Sequence, residues 1–191
     1  MNRRNAIKNL FVFSVFTTVG VGGYKFYNLK KKPAIYLLND YKSLIAELAE
    51  TIIPATNTPG AKAANVQDFI INIISNCTAK EEQNNFIIGL QDLEHYCSSN
   101  YDLEFFKCTT SQKIEILNYF ENKEMYDYNF FNKVNTKLFG KTFIAQLKSL
   151  TVEGYCISYE GATKGLAYDY IPINYNACVA LKPKQKSWAT K

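Results

Sequence analysis

Residues 66–97 read VQDFIINIISNCTAKEEQNNFIIGLQDLEHYC, and the spacing of their apolar side chains decides the fold class. Val66, Phe69, Ile70, Ile73 and Ile74 fall three and four residues apart, the stripe that an amphipathic helix turns towards a core. Phe86, Leu90, Leu93 and Cys97 repeat the pattern. Between the two stripes, Thr78-Ala79-Lys80-Glu81 has the residue types of a capping box, in which a hydroxyl and a carboxylate satisfy the free amides of a helix start. The stretch therefore reads as two consecutive helices.

The same reading extends in both directions. Upstream, Asn39-Asp40 offers an N-cap, Leu44, Ile45, Leu48, Ala49 and Ile52 follow at helical spacing, and the helix stops before Pro54. Thr56-Asn57-Thr58-Pro59-Gly60 has the composition of a tight turn, Pro fixing one φ and Gly permitting a positive one. Downstream, Ser99 to Cys108 reads as a connection, and Thr110 or Ser111 opens a helix bearing Ile114, Leu117 and Phe120. A longer pattern runs from Tyr128 to Ser158, weakest at Gly140 and Gly154. Beyond Tyr159 periodicity ends, and Gly161, Gly165, Pro172 and Pro183 punctuate the rest. The expectation is an all-α domain of about five helices over residues 33–191, with a long irregular C-terminal segment and a leader over residues 1–32.

That leader places the protein. Arg3-Arg4 precede Ile7-Lys8 and an uncharged run from Asn9 to Tyr24, followed by Lys25, which is the twin-arginine export pattern. The apolar part, Leu10 to Gly23, is shorter than the roughly 20 residues of a membrane-spanning helix, and Thr17, Thr18, Gly20, Gly22 and Gly23 make it only moderately hydrophobic. A general secretory signal is the competing reading. No Ala-x-Ala ends the run, so a retained short anchor is a further alternative to cleavage. The expected location is periplasmic, with folding or partner binding completed before export.

The positive net charge belongs to this leader. Seven of the 22 basic residues and none of the 17 acidic ones lie in residues 1–32, so residues 33–191 carry about −2. A nucleic-acid binder needs a basic face on its folded part, and no such partner is expected. Only the tail, with Lys182, Lys184, Lys186 and Lys191, is locally basic.

The folded part also lacks the motifs of independent chemistry. His95 is the single histidine and stands within an amphipathic helix. Neither Cys-x-x-Cys nor Cys-x-x-Cys-His occurs, nor does a P-loop or a Gly-x-Gly-x-x-Gly, so metal, haem and dinucleotide sites of the usual kinds are not encoded. No Gly-x-Ser-x-Gly elbow is present. The reading assigns no catalytic, cofactor-binding or metal-binding residue to the chain. Of the five cysteines, Cys97 with Cys108 and Cys156 with Cys178 are the nearest pairs in sequence; partial pairing after export and buried free thiols are both open.

Two blocks carry a resemblance. The first is Ala49-Glu50-Thr51-Ile52-Ile53-Pro54-Ala55-Thr56-Asn57-Thr58-Pro59-Gly60-Ala61-Lys62-Ala63-Ala64-Asn65-Val66, running on to Phe69-Ile70. The second comprises Gly154-Tyr155-Cys156-Ile157-Ser158, Gly161-Ala162-Thr163-Lys164, Tyr168, Pro172, Tyr175, Ala177-Cys178-Val179 and Trp188-Ala189. Both resemble the gluconate 2-dehydrogenase subunit 3 family, and together they bracket residues 44–189. The chain departs from the pattern at Ile173-Asn174, where a glycine commonly follows the proline.

The resemblance implies a small, cofactor-free subunit of a membrane-associated flavin dehydrogenase acting on a sugar, sugar acid or polyol. It implies a large partner carrying FAD, often with a c-type cytochrome subunit, and a role in accompanying the flavoprotein through the twin-arginine route. Candidate contacts with that partner are Pro54, Thr58, Pro59, Gly60 and Ala61 in the first block. In the second they are Gly161, Ala162, Tyr168, Tyr170 and Tyr175, since Tyr-rich irregular segments recur in interface cores. Two other readings stand beside this one: a membrane-tethered exported binding protein with an unrelated partner, and a self-sufficient exported enzyme.

Overall fold

The computed structural model describes residues 27–125, 129–171 and 183–189, with Gly23, Cys178, Ala180 and Leu181. The leader residues Arg3, Arg4, Ile7 and Lys8, and the tail residue Tyr175, lie outside the described residues. The described chain is all-α, as its periodicity predicts. Its helices are α1 (Leu37–Asp40), α2 (Lys42–Ile52), α3 (Val66–Cys77), α4 (Lys80–Tyr101), α5 (Thr110–Glu124), α6 (Asn129–Phe139) and α7 (Phe143–Ile157). A 3₁₀ turn at Phe105–Lys107 and a π-helical turn at Gly161–Gly165 complete the order.

Helix α7 is the hub, packing against α2, α3, α4 and α5. Its sequence explains this: Phe143, Ile144, Leu147, Leu150, Thr151, Gly154 and Tyr155 are buried on more than one side. Two glycines set how closely its neighbours approach. A Cβ on Gly89 of α4 would collide with Phe143 at its Cβ and Cγ, and one on Gly154 would meet the Phe69 ring at 2.6 Å. Phe143 in turn meets Phe86 edge-to-face at 5.3 Å, a geometry worth about 1 kcal/mol beyond the area it buries. One core cluster joins Ile45 and Leu48 of α2, Ile70 and Ile74 of α3, Leu90 and Leu93 of α4, and Ile116 and Phe120 of α5.

The start of α4 holds three neighbouring segments by consecutive side-chain amides. Gln83 Nε2 donates to Ile74 O and Ser75 O at the end of α3. Asn84 Nδ2 donates to Leu29 O and Lys31 O, and Asn85 Nδ2 to Phe139 O at the end of α6 and Lys141 O just beyond it. Each satisfies carbonyls that a helix end or a loop leaves without a partner. Glu124 does the converse, its carboxylate accepting from Ile144 N at the start of α7, at 3.0 Å.

Several local expectations are corrected. The long C-terminal pattern breaks at Gly140, whose φ of +78° closes α6 in the left-handed region. It does not break at Gly154, because there the missing Cβ makes room for Phe69 within a continuous helix. Asn39-Asp40 is not an N-cap: both residues end the short α1, and Tyr41 precedes α2. Thr78-Ala79-Lys80-Glu81 is not a capping box either. Thr78 ends α3 and donates its hydroxyl back to Ile74 O, so Ala79 becomes the N-cap of α4. A capping box does form at Thr109 and Gln112, opening α5.

Candidate partner interface

The two sequence blocks meet in space. Tyr155, on the last turns of α7, donates its hydroxyl to Pro59 O at 2.8 Å across 96 positions of sequence. Its ring is 8% exposed and is the floor on which both blocks rest. Gly165 sits against it so closely that a Cβ would lie 2.6 Å from Tyr155 Oη. At the backbone end of the same residue, Ser158 Oγ donates to Tyr155 O at 2.7 Å and accepts from Gly161 N at 3.0 Å. A Cβ on Gly161 would collide with Tyr155 O, which is why the turn into the tail needs glycine there.

Glu50 shapes the first block. Its carboxylate accepts from Ala55 N at 2.9 Å and from Lys62 N at 2.8 Å, so one side chain of α2 closes the loop that follows. Gly60 lies beneath that carboxylate, where a Cβ would collide with it and approach Ala55 N at 2.6 Å. Close approach, and not a positive φ, is what requires glycine at this position; among the described glycines only Gly140 has a positive φ. One turn earlier on α2, Glu47 pairs with Lys62 and, at 3.0 Å, with Lys113 of α5. The hydrogen bond from Lys62 lowers the Glu47 pKa below its usual range, burial opposes this, and Lys113 adds to the lowering.

The candidate contacts divide accordingly. Gly60, Ala61 and Gly161 are buried and build the junction from within, Ala61 at 0% exposure. Thr58, Pro59 and Ala162 are half-buried, while Pro54 is exposed along with Ala55, Thr56 and Asn57. Tyr168 and Tyr170 are exposed, the latter at 82%. The tail returns beside Tyr168: Ala167 N donates to Ser187 O and Ala189 N to Ala167 O, both at 2.8 Å, leaving Trp188 exposed. Ile157, Tyr159 and Ile171 extend the exposed apolar side chains of this end. Glu50 and Tyr155 were missed as organisers, one because a helical carboxylate reads as solvated, the other because the long contact leaves no local trace.

The match that follows this geometry covers the same junction. A family model described as gluconate 2-dehydrogenase subunit 3 matches residues 39–174. The chain belongs to the gluconate 2-dehydrogenase subunit 3 family. The first block and the second as far as Pro172 fall inside the matched span, while Tyr175, Ala177-Cys178-Val179 and Trp188-Ala189 fall outside it. No curated protein and no solved structure matches this family member.

The cysteines are free thiols. Cys156 and Cys178 are both free thiols, the first half-buried near the end of α7 and the second exposed on the tail. Cys97 and Cys108 are also free, but they lie side by side in the core. Burial pushes the Cys97 thiol up to about 12, and the adjacent Cys108, hydrogen-bonded to it, adds to the shift.

His95 is exposed on α4, and among the described residues no three His, Cys, Asp or Glu side chains group as metal ligands would. Among those residues, too, no helix is long and apolar enough to cross a membrane.

Proposed function

We propose that this chain is the accessory small subunit of an exported flavin-dependent dehydrogenase that oxidises a sugar, sugar acid or polyol. In this reading it stabilises the large FAD-bearing subunit, assists its maturation and carries it through the twin-arginine route by means of Arg3 and Arg4. The complex then works in the periplasm, associated with the inner membrane, and a c-type cytochrome subunit passes the electrons on. Catalysis belongs to the flavoprotein.

The observation that carries this reading is the junction at Tyr155. It fixes the two blocks of the family against each other and leaves Pro54 to Asn57 exposed on one side and Tyr168, Tyr170 and Trp188 exposed on the other. Tyr168 and Trp188 flank the Ala167–Ala189 backbone bonds, and large aromatic side chains exposed beside such a fixed point suit the centre of a protein interface.

The test is affinity isolation of the tagged full chain from its native host, with mass spectrometry and a flavin absorbance scan of the eluate. The expected result is a co-purifying flavoprotein, lost or weakened tenfold or more when Tyr168 and Tyr170 are both changed to Ala; each aromatic anchor contributes about 1–2 kcal/mol at an interface. A colourless eluate without a partner would sink the accessory-subunit reading. An exported partner without flavin would favour the tethered binding protein instead.

A further inference from the structure

Helix α6 carries a second exposed apolar surface, remote in sequence from the Tyr155 junction. Phe130, Val134 and Leu138 follow one another at intervals of four and are 69%, 37% and 53% exposed. On the opposite side of the same helix, Asn135 and Phe139 line a depression with Asn85, Ile88 and Phe120. The inner side of α6 thus faces α4 and α5, and the Phe130–Leu138 stripe faces outward. Lys133 and Lys137 are both exposed; at about 100° per residue they flank the stripe within roughly 60° of Phe130. No acidic residue occurs between Tyr128 and Val152.

The chain leading out of the leader arrives at this helix. Leu29 is 2% exposed, and Asn84 Nδ2 holds Leu29 O and Lys31 O at 2.8 and 2.9 Å. Lys30 lines one shallow depression with Thr136, Lys137, Leu138 and Gly140. Glu81 and Glu82 are the acids of that depression. Lys30 and Lys137 line the same depression, and Lys141, whose backbone amide donates to Glu82 Oε1, adjoins it; all three are exposed, so cations outnumber the two carboxylates there.

We infer that α6 lies flat on an anionic lipid bilayer. Phe130, Val134 and Leu138 enter the boundary between headgroups and acyl chains, and Lys133 and Lys137 reach the headgroup phosphates. An amphipathic helix of low overall hydrophobicity with lysines beside its apolar face has this chemistry. The bilayer is the occupant that the surroundings favour, because the charge beside the stripe is cationic, from the exposed Lys133 and Lys137, and no carboxylate follows Tyr128 until Glu153.

The experiment places a single tryptophan on the stripe of the full chain, L138W in a W188F background. Vesicles of phosphatidylcholine and phosphatidylglycerol, with or without brominated acyl chains, are the probe. An I114W variant, exposed on α5, reports on a surface that the inference leaves in water. The expected result is a blue shift and bromine quenching for L138W and neither for I114W. Adding K133Q and K137Q lowers partition of the helix, read from the quenching, by about thirtyfold, the effect of two charges near an anionic surface. Sedimentation with the vesicles but no L138W quenching would overturn the inference, leaving binding to the leader alone. A blue shift that grows with protein concentration in the absence of lipid would overturn it too, assigning the stripe to a second copy of the chain.

Discussion

Changing Tyr155 to Phe removes one oxygen and nothing else, which isolates the bond between the two blocks. The hydroxyl donates to Pro59 O at 2.8 Å from a side chain only 8% exposed. A net hydrogen bond contributes about 1 kcal/mol, and leaving a buried carbonyl without its donor adds a similar amount. Pro59 is itself half-buried, so water recovers part of that second loss. The expected cost is about 1–2 kcal/mol. Changing Tyr155 to Ala deletes the ring as well, and buried aromatic truncations cost about 3–5 kcal/mol. Equilibrium urea unfolding of the purified full chain, followed by far-ultraviolet circular dichroism, separates the two. A Tyr155→Phe variant as stable as the parent would refute the claim that the hydroxyl ties the blocks together. Equal losses for Phe and Ala would refute the claim that the ring is the floor of the junction.

Three more outcomes are expected. Gly161→Ala brings a Cβ onto Tyr155 O, and overpacking against backbone costs about 1–3 kcal/mol, measured by the same unfolding titration; an unchanged midpoint would show that the turn has room. Because the Glu47 pKa is lowered on folding, its contribution is present above its unfolded pKa and is lost as pH falls through the lower folded value; Glu47→Gln should flatten stability against pH in that acidic window and not near neutrality. An aromatic disulfide reagent should label Cys77 and Cys178 at once, both being exposed, and reach Cys97 and Cys108 only on unfolding; prompt modification of Cys97 in the native chain, located by peptide mapping, would contradict its burial.

Much of the fold was legible in the sequence because helices announce themselves locally. The stripes of α3 and α4 and the stop before Pro54 needed only neighbours within a few residues. Errors arose where two local rules competed for one residue. Thr78 fits a capping box, but α3 runs on to Cys77 and takes the hydroxyl for its own last turn. The pattern from Tyr128 to Ser158 reads as one stretch, but Gly140 takes a positive φ and ends α6, while the helix runs on through Gly154, where Phe69 of α3 fills the space. The candidate interface was legible as composition and not as geometry. Pro59 and Gly60 were visible as a turn, yet their partners, the Glu50 carboxylate and the Tyr155 hydroxyl, become neighbours only after α2 and α7 have packed. The same holds for Cys97 and Cys108, whose contact crosses the 3₁₀ turn between α4 and α5.

The position of α7 in the chain has a consequence for synthesis. The helix on which α2, α3, α4 and α5 all pack is the last long one to be made. Until Phe143 to Tyr155 emerge from the ribosome, Ile45, Ile70 and Leu90 lack the surface that completes their enclosure, so the nascent chain is a string of half-dressed helices. Completion comes late and nearly all at once. A ribosome that stops short of α7 releases a product whose other helices lack the one surface they all share.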